Sequence, residues 1–111
     1  MNNLPYLLAL NRMNKVGPRT VAKLKKRWPN LQDLFALSYL EQEQAGLPSA
    51  LARIITEFDL NLIQEDLDWR DSAPDHHLLT WDSPDYPALL KEIADPPIVL
   101  YAKGQLSALE Q

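Results

Sequence analysis

At 111 residues with 46% apolar content, the chain is long enough for one ordinary core and too short for two complete ones. It has no cysteine, which excludes disulfides and thiolate metal sites, and the apolar run in its N-terminus "MNNLPYLLAL" lacks the basic flank and small-residue cleavage site of a signal peptide. The net charge of −4 conceals a segregation: residues 1–30 hold Arg12, Lys15, Arg19, Lys23, Lys25, Lys26 and Arg27 with no acid, about +7, while residues 31–111 hold all fifteen acids against four bases, about −11. A basic end of this kind meets an anion, either nucleic acid or the protein's own acidic surface.

In chain order, Leu4, Leu7, Leu8 and Leu10 give a short apolar face, "NKVGP" interrupts it, and Val21, Leu24 and Trp28 resume at helical spacing. Pro18 suits the first turn of that second helix and Pro29 stops it. Asn30 is expected to cap a short helix burying Leu31, Leu34 and Phe35, and "SYLE" from Ser38 to Glu41 reads as a capping box opening another helix that Gly46 ends. From Ser49, the positions Leu51, Ile54, Ile55, Phe58, Leu62, Asp66 and Trp69 trace one long amphipathic helix. Five helices are thus expected before residue 72, with Leu7, Leu24, Trp28, Phe35, Ile54, Ile55 and Phe58 in one core. "GPRTVAKL" and "LPSALARI" also align at a period of 30, Ala22 over Ala52 and Leu24 over Ile54, as two turn-helix units whose small alanine admits a close neighbour.

Past Ser72-Ala73-Pro74 the pattern becomes strand, helix, strand. "HLLTW" is closed by the turn "DSPD", Pro84 or Pro87 opens a helix burying Leu89, Leu90 and Ile93, "DPP" breaks it, and "IVLYA" is a continuous apolar run. Such a run reads as a strand covered on both faces, and the spacing predicts a parallel crossover unit with an open edge. Two parallel strands cannot bury themselves, so the chain is expected to be a fragment cut after Leu106.

The segment "DSPDYPALLKEIADPPIVLYAKGQL" resembles the entry into the Rossmann-like domain of the DNA-processing protein A family, also called DprA or Smf. Tyr86, Pro87, Leu90, Ile93, Asp95, Pro97, Val99, Leu100, Tyr101 and Gly104 occupy that family's spaced pattern without a gap. "NKVGPRTVAKL" is similar to the family's helical head, a bundle of the sterile-alpha-motif or helix-hairpin-helix kind. The resemblance implies a mainly α chain: a helical SAM-like or HhH-like domain over 1–72, then over 73–111 the first β-α-β piece of a truncated Rossmann-like α/β domain. It implies a cytoplasmic protein, not an enzyme and without a cofactor, that binds single-stranded DNA and loads the RecA recombinase in natural transformation. The principal DNA-binding and self-association surfaces, and with them any homodimer of the full-length protein, belong to the domain beyond this chain.

A helix-hairpin-helix grips phosphate with backbone N–H groups of a Gly-hydrophobic-Gly turn at the start of its second helix. Here the triplet is Lys15-Val16-Gly17, without the first glycine, while Arg19, Lys23, Lys26 and Arg27 recur at spacings of three and four. Lys15, Gly17, Arg19, Lys23, Lys26 and Arg27 are therefore the candidate DNA-binding residues, against a basic face that pairs with the acidic remainder. "AGLPSA" has no basic cluster beyond Arg53 and reads as structural, and Trp28, Trp69 and Trp81 sit at apolar phases that favour packing over base stacking. "DHH" with Asp82 and Asp85 does not make a metal site, because adjacent strand histidines face opposite ways. The carboxylate pairs Glu65/Asp66 and Asp68/Asp71 have no accompanying base or nucleophile and read as solvated charge. Two other classes remain open: a protein-interaction bundle, and a bundle attached to a Rossmann-like enzyme that handles a nucleotide or phosphoribosyl substrate.

Overall fold

The structure is a computed structural model that describes residues 2–104. Its first half is built on α1 (Leu4–Arg12), whose Leu7, Leu8, Ala9 and Leu10 are all fully buried. That band of four is wider than one amphipathic stripe because other elements pack around it, and α1 serves as the central post of the head. α2 (Pro18–Arg27) starts with Pro18 in its first turn and buries Val21 and Leu24. α3 (Leu31–Phe35) is capped by Asn30, which accepts from the Gln32 amide, and buries Leu31 and Leu34. α4 (Tyr39–Gln44) opens with the expected capping box: Ser38 Oγ accepts from Glu41 N at 3.1 Å, and Ser38 N donates to Glu41 Oε1 at 2.9 Å. Gly46, at φ 101°, closes it by letting the Leu47 amide reach the Gln42 carbonyl and its own amide reach Glu43, a Schellman closure open to glycine at little strain.

The long helix expected from Ser49 is instead divided. α5 (Ser49–Glu57) ends where Phe58 turns extended, a 3-10 turn follows at Leu60–Ile63, and α6 (Gln64–Asp71) resumes the chain. Asp59 is the cause on the sequence side, since its carboxylate accepts from the Asn61 amide at 3.0 Å and offers the backbone an alternative to continued helix. The break changes the phase, so that Ile63 is buried while Leu62 stays 44% exposed. Asp66, three residues after Ile63, faces inward with it and meets Arg12. The expectation that Asp66 is solvated charge is thereby overturned: it is 6% exposed, and Arg12 holds it through Nε at 2.8 Å.

In the expected core, Leu7, Leu24 and Ile55 are buried, whereas Trp28, Phe35, Ile54 and Phe58 are half-buried against it. The two turn-helix units are not equivalent either. Ala52 is fully buried, but Ala22 is exposed because the face of α2 it occupies is left open to solvent.

β1 (His76–Thr80) and β2 (Val99–Lys103) pair antiparallel, Thr80 opposite Val99 and His76 opposite Lys103, which corrects the parallel pairing expected from the apolar run. A parallel crossover must carry the chain back along the full strand, usually on a helix. Here α7 (Ala88–Lys91) has only four residues, about 6 Å at 1.5 Å per residue, between Pro84 and Pro87 on one side and Pro96 and Pro97 on the other. Both flanks of this connection are tied to α2, Asp82 by Lys25 and Asp95 by Arg19, so the chain re-enters the sheet at the end it left. The apolar face foreseen for α7 is also not buried, with Leu89 72% and Ile93 49% exposed.

Candidate nucleic-acid interface

α2 joins a buried apolar stripe to a cationic outer face because its residues alternate at helical period, Val21 and Leu24 inward and Lys23 and Lys26 outward. Gly17 precedes it at φ −107° and ψ 178°, an extended conformation any residue adopts, with Val16 buried beside it. The turn therefore does not have the positive-φ glycine geometry of a phosphate-cradling hairpin.

The five candidate cations fall into three situations. Arg19 donates through Nε to Asp95 Oδ1 at 2.7 Å, an exposed pair across from the connection. Arg27 donates to the Ala45 carbonyl and lies over the Trp28 ring at 4.5 Å, so it serves to join α2 to the end of α4. Lys15, Lys23 and Lys26 are exposed and form no ion pair among the described residues. Lys15 lies apart from the others, lining a hollow with Arg53 of α5.

Two polar clusters tie the sheet segment to the head, the first of them through α2. In the first, Asn3 is 4% exposed; its Nδ2 donates to the Pro29 carbonyl at 2.8 Å and to Asp82 Oδ2 at 3.0 Å, while its Oδ1 accepts from the Leu31 amide at 2.9 Å. Lys25 reaches the other oxygen of the same carboxylate. Burial pushes the Asp82 carboxyl up, but the hydrogen bonds from Lys25 and Asn3 outweigh it and hold the group below its ordinary range. In the second cluster Asp66 accepts from Arg12 and from the Tyr101 hydroxyl at 2.8 Å. The hydrogen bond to Asp66 leads the causes that raise the Arg12 guanidinium above its ordinary range, while burial and then the hydrogen bond to Asp66 push the Tyr101 phenol up to about 12. Sequence reasoning missed Asn3 and the Arg12–Asp66 pair, and nothing in their local patterns marks them. Partners 79 and 54 residues apart are visible only in the fold.

The connection after β1 brings in a further cation. Lys91 belongs to the acidic portion, yet it lines the same groove as Arg19 and Lys23, about 470 Å³ in volume, with Trp81 in its wall. His76 and His77 do not converge: His76 Nδ1 lies 2.7 Å from the Trp69 carbonyl and its ring stacks on Trp69 at 4.2 Å, whereas His77 Nε2 lies 2.9 Å from the Gly104 carbonyl. Among the described residues no group of three or more His, Asp or Glu side chains is arranged to hold a metal ion, and no helix is long and apolar enough to cross a membrane.

The arrangement is that of a helical head with a cationic outer helix, tied by acidic anchors to a small antiparallel sheet. Residues 77–111, about a third of the chain, match the family model described as DNA recombination-mediator protein A. No curated protein and no solved structure matches the chain. The matched stretch runs from the second residue of β1 through β2, and its patterned residues have visible structural roles. Tyr86 is 3% exposed and donates to the Pro97 carbonyl at 2.7 Å, Asp95 accepts from Arg19, Val99 is buried, and Gly104 takes φ 107°.

Proposed function

We propose that the chain is part of a DNA recombination mediator that binds single-stranded DNA and loads the RecA recombinase onto it during natural transformation. The observation that carries this reading is the match of residues 77–111 to the recombination-mediator family. Lys23 and Lys26 on α2, exposed and without an ion pair among the described residues, support it, because a strand's phosphates recruit such charges without regard to sequence. In this role Lys23 and Lys26 contact the backbone directly and Arg19 joins by exchanging Asp95 for phosphate. Lys15 and the Gly17 amide lie at the edge of the contact, and Arg27 supports α2 from behind. The protein acts in the cytoplasm by positioning DNA and recombinase, within a homodimer, and performs no covalent step of its own.

The test is the lag before RecA hydrolyses ATP on single-stranded DNA, since that lag reports filament nucleation. Addition of the chain at concentrations that saturate the strand shortens the lag. An unchanged lag under saturation contradicts the loading role, and a failure to bind the strand at low salt contradicts the DNA role as well.

A further inference from the structure

Between α2 and the connection that follows β1 lies the groove of about 470 Å³, inside the range of roughly 300–1,000 Å³ typical of small-ligand sites. Its wall is mostly apolar: the Trp81 indole, the small Ala22 and Ala94, and prolines. Its charged members among the described residues are Arg19, Lys23 and Lys91, none of them a carboxylate. Ala22 is exposed on α2 although a larger apolar residue there would fill the groove, and Trp81 is only half-buried although most of its surroundings are apolar. Lys91 is held over the Tyr86 ring at 5.7 Å, Asp82 fixes the start of the connection to Lys25, and Asp95 keeps Arg19 at the rim until phosphate displaces it. An apolar wall with one indole, ringed by three cations, suits a ligand that is a flat apolar ring attached to anions on both sides. A base in a phosphodiester strand has that composition. An acidic peptide satisfies the charges but has no need of the indole.

We propose that this groove seats one nucleotide of a single strand, with the base against Trp81 and the adjoining phosphates on Arg19, Lys23 and Lys91. The proposal rests on the reading of the chain as a single-strand contact and adds a base-dependent site to an otherwise charge-only surface. It also assigns Lys91, in the acidic portion, to the same ligand as α2.

Two labelled strands of equal length separate the possibilities, a thymidine oligonucleotide and an abasic one with the same phosphates, titrated at low salt into the intact chain. The chain should bind the thymidine strand roughly five- to a hundredfold tighter, the effect of one base–aromatic stack. Trp81→Leu should erase that preference while leaving the abasic affinity, Trp81→Phe should keep part of it, and Lys91→Gln should weaken both strands about threefold. Should Trp81→Leu not fold by circular dichroism, the Phe and Gln variants decide. Equal binding of the two strands by the parent chain overturns the groove and leaves the strand contact standing. Binding of neither removes both. Competition by thymidine monophosphate as effective per nucleotide as the strand, or by an aspartate-rich peptide more effective than it, assigns the groove to a different ligand and overturns the proposal.

Discussion

The helical head and the connection between the two strands have similar apolar patterning and very different burial. In the head, Leu7, Leu8, Leu10, Leu31 and Leu34 are completely enclosed around α1. In the connection, "ALLKEI" has the same spacing of large apolar residues, yet Leu89 and Ile93 project into solvent and α7 ends after one turn. A pattern specifies which face is apolar, and only a second layer at the right distance makes it core. The head supplies that layer around α1, whereas α7 has none; the strands themselves join the head's core through Leu78, Ile98 and Val99, with polar ties through Asn3, Asp82, Asp95 and the Tyr101–Asp66 hydrogen bond beside them.

The largest expected effect breaks the comparison at its strongest point. Leu34→Ala should destabilise the chain by about 2–5 kcal/mol, because the side chain is fully enclosed and its loss leaves a cavity. Leu89→Ala, the same chemical change at 72% exposure, should stay within about 0.5 kcal/mol. Urea denaturation of both variants measures the contrast directly, and equal losses would mean that the two regions are buried alike.

Next in size is Arg12→Met, expected at about 2–3 kcal/mol. Loss of one partner of a fully buried pair costs roughly 3–5 kcal/mol, and the 27% exposure of the Arg12 side chain reduces it. Thermal melts at neutral pH check this, with Asp66→Asn in the Arg12→Met background expected to recover part of the loss.

A smaller effect comes from Tyr101. Its phenol, pushed up to about 12, binds its proton more tightly in the folded state than the ordinary value of 10, so the stabilisation is fully present below about pH 10 and declines as pH rises toward 12. Tyr101→Phe should flatten that alkaline decline in a pH series of melts. The smallest effect is Lys25→Ala, at most about 1 kcal/mol given the 43% exposure of the Asp82 side chain. Because the Asp82 carboxyl is held below 3.8, its contribution is present above that pH and disappears as pH falls further, so parent and variant should converge in acid.

Much of the head was legible because its signals are local. Ser38 and Glu41 satisfy each other three residues apart, Gly46 supplies the left-handed turn, and Pro18 and Pro29 bound α2, so each follows from adjacent residues. The antiparallel sheet was not legible, since an apolar run such as "IVLYA" fixes burial and not direction, and the direction is set by the anchors of Asp82 and Asp95 on α2. Asp66 was misread for a related reason. Its helical phase pointed inward, but the arginine that satisfies its charge lies on another helix 54 residues away, so the carboxylate pair was taken for solvated charge. For the candidate site, the pattern identified the exposed Lys23 and Lys26 but not the capture of Arg27 by Ala45 or the arrival of Lys91 beside them.

The central claim, that the exposed cations of α2 and Lys91 beside them contact a single strand, is tested most directly by fluorescence anisotropy of a labelled oligonucleotide across a salt series. With Arg19, Lys23, Lys26 and Lys91 each neutralising a phosphate, the account predicts weak, sequence-blind binding with a log–log slope near −3, at about −0.7 per contact. Lys23→Glu with Lys26→Glu should remove that binding without moving the melting temperature, since both side chains are exposed and unpaired among the described residues. A double variant that binds as the parent does, with the same slope, would contradict the claim.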